Sequence, residues 1–142
     1  MIEVHVDAGT HPGAPVPLLE SAVRTVLGAE GLEEGEVSVA LLADADIRAL
    51  NRTHLSRDRV TDVIAFRLEV EGRPVVGDVY LGWEQALRQA AAAGVAPEEE
   101  LVRLVVHGTL HVLGWDHPAE PGERESSAMY RRQEELVAQV VR

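Results

Sequence analysis

Val63-Ile64-Ala65-Phe66-Arg67-Leu68-Glu69-Val70 and Val75-Val76-Gly77-Asp78-Val79-Tyr80-Leu81 are two strand-like runs joined by Glu71-Gly72-Arg73-Pro74. A Gly/Pro turn between two such runs predicts a β-hairpin. On its N-terminal side, alternation at Ile2, Val4 and Val6 predicts a strand, and Leu18, Leu19, Ala22, Val23, Val26 and Leu27 recur at helical spacing over about 16–29. Val37 to Ala43 reads as a buried strand. Asp44 is expected to cap a short helix to about residue 53, with Ile47 and Leu50 facing inward, before a polar loop over 54–62.

On its C-terminal side, an alanine-rich helix over 83–93 stops at Gly94, and Pro97 with Glu98, Glu99 and Glu100 opens the next helix. Met129, Leu136, Val137 and Val140 mark the inner face of a last helix from about residue 123. The order β-α-β-α-β-β-α-α-α predicts an α+β fold, a small mixed sheet packed against helices. The 142 residues fit one domain, with no repeats or linker.

Composition narrows the function classes. Without cysteine there is no disulfide scaffold, Cys-ligated zinc ribbon or thiol nucleophile. The longest purely apolar run, Val39 to Ala43, falls far short of the roughly 20 residues of a membrane helix. Residues 1 to 7 carry no basic or apolar leader pattern, so a cytoplasmic location is expected. The formal net charge is −11, and all 13 basic residues are arginine. Such acidity disfavours non-specific coating of nucleic acid. The stretch from Arg48 to Arg73 is the exception, with six arginines against four acids, a local +2 against −13 elsewhere. It reads either as a solvated face or as a small arginine-lined phosphate site.

The chemistry concentrates in His107-Gly108-Thr109-Leu110-His111-Val112-Leu113-Gly114-Trp115-Asp116-His117. His107 and His111 are four apart, so a helix would project both from one face, as in a zincin-like metal helix. Gly114 can take a left-handed conformation, end the helix and let the chain bring in His117. Pro118 biases His117 toward an extended backbone. Three imidazoles leave a fourth zinc position open, the arrangement of a catalytic site. Imidazole also suits nickel, copper and iron, so the spacing speaks for a metal before it speaks for zinc. The metzincin proteases place a glutamate directly after the first histidine as general base. Here that position is Gly108, which disfavours proteolysis on that plan. Asp116 reads either as a turn residue or as a group that orients a ligand or takes a proton.

This segment resembles the metal motif of the YbeY family, bacterial endoribonucleases and ribosomal-RNA maturation factors. Leu50-Asn51, Thr61-Asp62-Val63-Ile64-Ala65-Phe66 and Gly77-Asp78-Val79 agree as well, and the similarity covers almost the whole chain. The resemblance implies a hydrolase with one zinc ion per chain on His107, His111 and His117. It also implies single-stranded ribosomal RNA as substrate, in small-subunit maturation and ribosome quality control. Small-subunit proteins are further expected partners, whereas a membrane or DNA is not. The family's aromatic-Arg-Gly run is His54-Leu55-Ser56 here, so Leu55 stands where its arginine is expected. The family's Ser-Phe-Pro is Ala65-Phe66-Arg67. Arg59 is therefore expected to steady phosphate charge, with Arg57 close enough to share the role, and Asp116 to assist proton transfer. A zinc-stabilised, non-catalytic ribosome-assembly factor is the alternative, and a metalloprotease-like hydrolase the weaker one. Asp62 reads first as a turn residue, with a place in the cleft as the functional alternative, and Asp78 is read for the cleft too. Trp83 and Trp115 are candidates for base stacking or for core packing. His5, His11 and His54 have no ligand spacing.

Overall fold

Alternating side chains organise a four-stranded sheet. The protein is described by a computed structural model that covers residues 1–116 and 127–142. Strands β1 (Ile2–Asp7), β2 (Gly35–Leu42), β3 (Val63–Leu68) and β4 (Val76–Gly82) lie in the order β1-β2-β4-β3. β1, β2 and β4 run parallel, and the hairpin places β3 antiparallel on β4, which makes the sheet mixed as expected. Val37, Val39 and Leu41 of β2 and Val79 and Leu81 of β4 point to one face and are buried. A side-chain period of two requires the intervening residues, such as Ser38, Asp78 and Tyr80, to face the other way.

Helices α1 (Val16–Ala29), α2 (Asp44–Leu55), α3 (Trp83–Ala93), α4 (Pro97–Val112) and α5 (Ala128–Val141) complete the described elements. α4 is central: it packs on α1, α3, α5 and the β3–β4 hairpin, and most of its residues are buried. An amphipathic helix has one apolar stripe, whereas one buried nearly all round belongs inside the fold. Gly108 lets it lie close to the sheet. A Cβ there would stand 2.6 Å from Cγ1 of Val79 and 3.1 Å from Cγ2 of Val63.

The C-terminal end of α4 follows the expectation for Gly114. That residue has φ +98°, and its N–H bonds the His111 carbonyl while the Trp115 N–H bonds the Leu110 carbonyl, both at 3.0 Å. These two bonds are a Schellman closure. The Trp115 indole N–H then donates to one carboxylate oxygen of Glu30, and Arg132 of α5 donates to the other at 2.9 Å.

Two local expectations change, and a third falls outside the described residues. Ala43, not Asp44, is the N-cap of α2, because both Asp44 carboxylate oxygens are taken by Arg88 of α3 at 2.9 and 3.0 Å. α2 runs to Leu55, closing on Ser56 with φ +57°, and Asn51 rather than Leu50 is its second buried residue beside Ile47. α5 begins at Ala128 with Ser127 as N-cap, so its expected start near 123 lies outside the described residues.

Candidate active site

The i, i+4 spacing on α4 brings the rings of His107 and His111 together with centroids 4.6 Å apart. Their Nε2 atoms face each other at 3.1 Å. Two nitrogens held about 2.05 Å from one tetrahedral ion would lie about 3.3 Å apart, so this pair fits a shared metal with little adjustment. His107 Nδ1 is hydrogen-bonded to Oε1 of Gln133 on α5 at 2.7 Å, the kind of partner that orients a metal-ligating imidazole. His117 lies outside the described residues.

Both histidines line a cavity of about 450 Å³ whose other walls come from the 55–65 segment and Gly108. Leu55, Arg57, Arg59, Thr61, Asp62 and Val63 are on that wall. Asn51 builds the arginine loop: its carbonyl accepts from the Arg57 N–H at 3.3 Å, and its side-chain amide donates to the Arg59 carbonyl at 3.0 Å. The loop rises from the end of α2, and both arginines are exposed within it.

The local basicity of residues 48–73 is resolved into separate jobs. Arg48 binds Asp58 at 2.8 Å, and that hydrogen bond holds the Asp58 carboxyl below the usual carboxylate range. Arg52 also lies within 4.0 Å of Asp58, and Arg73 pairs with Glu36 at 3.0 Å. Arg67 donates to the Val112 carbonyl at the end of α4 and pairs with Glu69. Among the described residues, Arg57 and Arg59 form no ion pair and line the histidine cavity, whereas Arg67 does not line it. The expected Arg59 is therefore beside the histidines, with Arg57.

Other sequence candidates separate. Asp116 is exposed and is not on the wall of this cavity. Asp62 is on the wall and accepts a long 3.5 Å bond from the Thr61 hydroxyl. Asp78 instead lines cavities on the opposite face of the sheet with Tyr80, whose hydroxyl burial and the nearby Asp78 push its pKa up. Trp83 stacks on His11 at 5.1 Å, and Trp115 packs on the core with its indole held by Glu30. His54 meets Phe66 edge-on. His5 lies 3.7 Å from Glu36, and with Glu3 these groups could surround a cation, but Arg73 already occupies Glu36.

Gln133 was not anticipated. It is 6% exposed, and the available signal was its place on the inner face of the last helix between Met129 and Leu136, where a polar residue needs a buried partner.

Gly108 faces the sheet, so the metzincin base position has no room for a carboxylate; the nearest atoms are valine methyls. The cavity thus combines two convergent imidazoles with two arginines and lacks the protease base at that position.

Comparison with known proteins agrees with this constellation. The model of the family described as Endoribonuclease YbeY matches residues 15–141. The protein named endoribonuclease YbeY in Pelotomaculum thermopropionicum is 40% identical over 87% of this chain and 84% of its own. The one in Geobacter sulfurreducens is 39% identical over 84% of this chain and 83% of its own. A Chloroflexus aurantiacus relative of the same name is 38% identical over 96% and 92%. The solution structure of TM1509 from Thermotoga maritima superposes with a TM-score of 0.63 at 27% identity, covering 99% of this chain and 89% of that one. On the match across nearly its whole length, the chain belongs to the endoribonuclease YbeY family.

Proposed function

We infer that this chain is a zinc-dependent endoribonuclease of single-stranded RNA, working in small-subunit ribosomal RNA maturation. The observation that carries the reading is one cavity holding the paired Nε2 atoms of His107 and His111 beside Arg57 and Arg59. The curated relatives' shared name, endoribonuclease, supports the reaction class. His107, His111 and His117 would hold the zinc, which when bound supplies a water of lowered pKa and polarises a phosphoryl oxygen.

The chain's own groups do the rest. Guanidinium forks match phosphate oxygens in pairs, so Arg59 and Arg57 bind the scissile phosphate and steady its developing charge. Buried Asn51 fixes the backbone of their short loop and so keeps both arginines beside the histidines. The exposed Leu55 offers an apolar wall to a sugar or base where the family's arginine is expected. Asp116, just beyond the α4 closure, is the candidate for moving a proton at its carboxylate. No helix among the described residues is long and apolar enough to cross a membrane.

The test is a paired cleavage assay with a single-stranded ribosomal-RNA fragment, using zinc-loaded protein and its His111→Ala variant. Cleavage by the first alone is the expected result. Absence of cleavage by either, with zinc confirmed on the parent protein, would move the reading to a non-catalytic assembly factor. Small-subunit ribosomal proteins would then be the partners to test.

A further inference from the structure

We propose that Gln133 is a positioning residue: it fixes His107 in the Nδ1–H tautomer so that the Nε2 lone pair points into the cavity, and Glu134 and Arg103 fix Gln133 in turn. The proposal rests on the metal-site reading above.

The argument is one of donors and acceptors. A glutamine amide has an oxygen that only accepts and a nitrogen that only donates. The Gln133 nitrogen donates to Oε2 of Glu134 at 3.1 Å. An ionised carboxylate has no proton to give, so this contact admits only the amide nitrogen. The Gln133 oxygen is then the atom left to face His107 Nδ1, at 2.7 Å. Since that oxygen cannot donate, Nδ1 must carry the ring proton. A neutral imidazole with Nδ1 protonated has its lone pair on Nε2. That is the atom facing His111 Nε2 at 3.1 Å.

The far end of the relay is rigid. Arg103 of α4 donates to Glu134 from Nε at 2.9 Å and from Nη2 at 3.0 Å, a two-pronged contact. Arg103 is itself held by Glu99 and Glu100, both at 3.2 Å. The same helix thus carries the histidine and, one turn earlier, the arginine that orients its partner on α5. Swapping the amide ends would set the Gln133 oxygen against the Glu134 carboxylate and its N–H groups against His107. The swapped form would then favour Nε2–H, the tautomer that offers its lone pair away from the cavity.

The test uses metal-free, full-length protein with nitrogen-15 histidine, read by two-bond nitrogen–proton NMR at a pH where the spectrum itself shows the ring as neutral. The His107 ring should show a protonated Nδ1 and a lone-pair Nε2. Gln133→Met, which keeps length but removes both amide groups, should lose that single tautomer. It should also bind zinc about 10–100-fold more weakly by competition with a chromophoric chelator. Glu134→Gln, which lets the amide turn, should mix the tautomers without removing Gln133. An Nε2–H tautomer in the parent protein would overturn the proposal, and that measurement needs no variant to fold. So would an unchanged tautomer and zinc affinity in Gln133→Met. If the parent protein binds no zinc, the metal-site reading fails while the tautomer still decides the role of Gln133.

Discussion

The side-chain amide of Asn51 donates to the backbone carbonyl of Arg59 at 3.0 Å from a position that is 2% exposed. Asn51→Asp keeps the shape but removes the donor and sets a carboxylate against a carbonyl. Losing a buried partner costs about 1–3 kcal/mol, more where a charge is left behind. Thermal unfolding should show a lower Tm for this variant. RNA cleavage should fall at temperatures where it remains folded, because the arginine loop loses its fixed end.

Arg57 and Arg59 should carry phosphate recognition. Removing one preorganised donor to developing charge lowers kcat by about 10²–10³-fold. Arg59→Ala is expected in that range, with Arg57→Ala following it, while Arg24→Ala on the far side of α1 should leave cleavage unchanged. Leu55→Arg adds a guanidinium to the same wall and should raise cleavage several-fold. Single-turnover rates on a fixed RNA would rank the four variants.

Gly108 is a packing position. Alanine normally favours a helix over glycine by about 1 kcal/mol. Here its Cβ would stand 2.6 Å from a fully buried Val79, so overpacking of about 1–3 kcal/mol or more opposes that gain and should win. Gly108→Ala should unfold at lower temperature, and pairing it with Val79→Ala should recover part of the loss. Differential scanning calorimetry of the two variants would show it.

Glu134 should govern part of the acid stability. Burial alone would raise its carboxyl pKa, but hydrogen bonds from Arg103 and Gln133 overcome that and hold it below the usual range. A carboxyl with a depressed folded pKa stabilises above its unfolded value, about 4.3 for glutamate, and loses that contribution as pH falls through the folded value. Arg103, raised by the same pairing, stays charged throughout. Urea midpoints from about pH 7 to pH 3 should fall, and Glu134→Gln should be weaker at neutral pH and show a shallower decline below about pH 4.3.

The element order could be read from local signals because each was local chemistry: Pro97 at the first turn of α4, Gly94 and Gly114 with positive φ, and apolar spacing in α1. The histidine pair was readable for the same reason, four residues on one helix. Partners distant in sequence were not. Asp44 looked like a cap until Arg88, forty-four residues later, took its carboxylate. The basic stretch looked continuous until Asp58, Glu36 and Glu69 paired with four of its arginines, leaving Arg57 and Arg59 at the cavity. Asn51 could be matched as part of a motif, but its work is done on a loop backbone that no periodicity reveals.

Glu30 joins the two flanks of residues 117–126, Trp115 before them and Arg132 after them, through a single carboxylate. One side chain at the C-cap of α1 therefore holds the closed end of α4 and the helix α5 together. Glu30→Ala should release both at once, where Arg132→Ala releases only α5, and the unfolding temperatures of the two variants would rank accordingly.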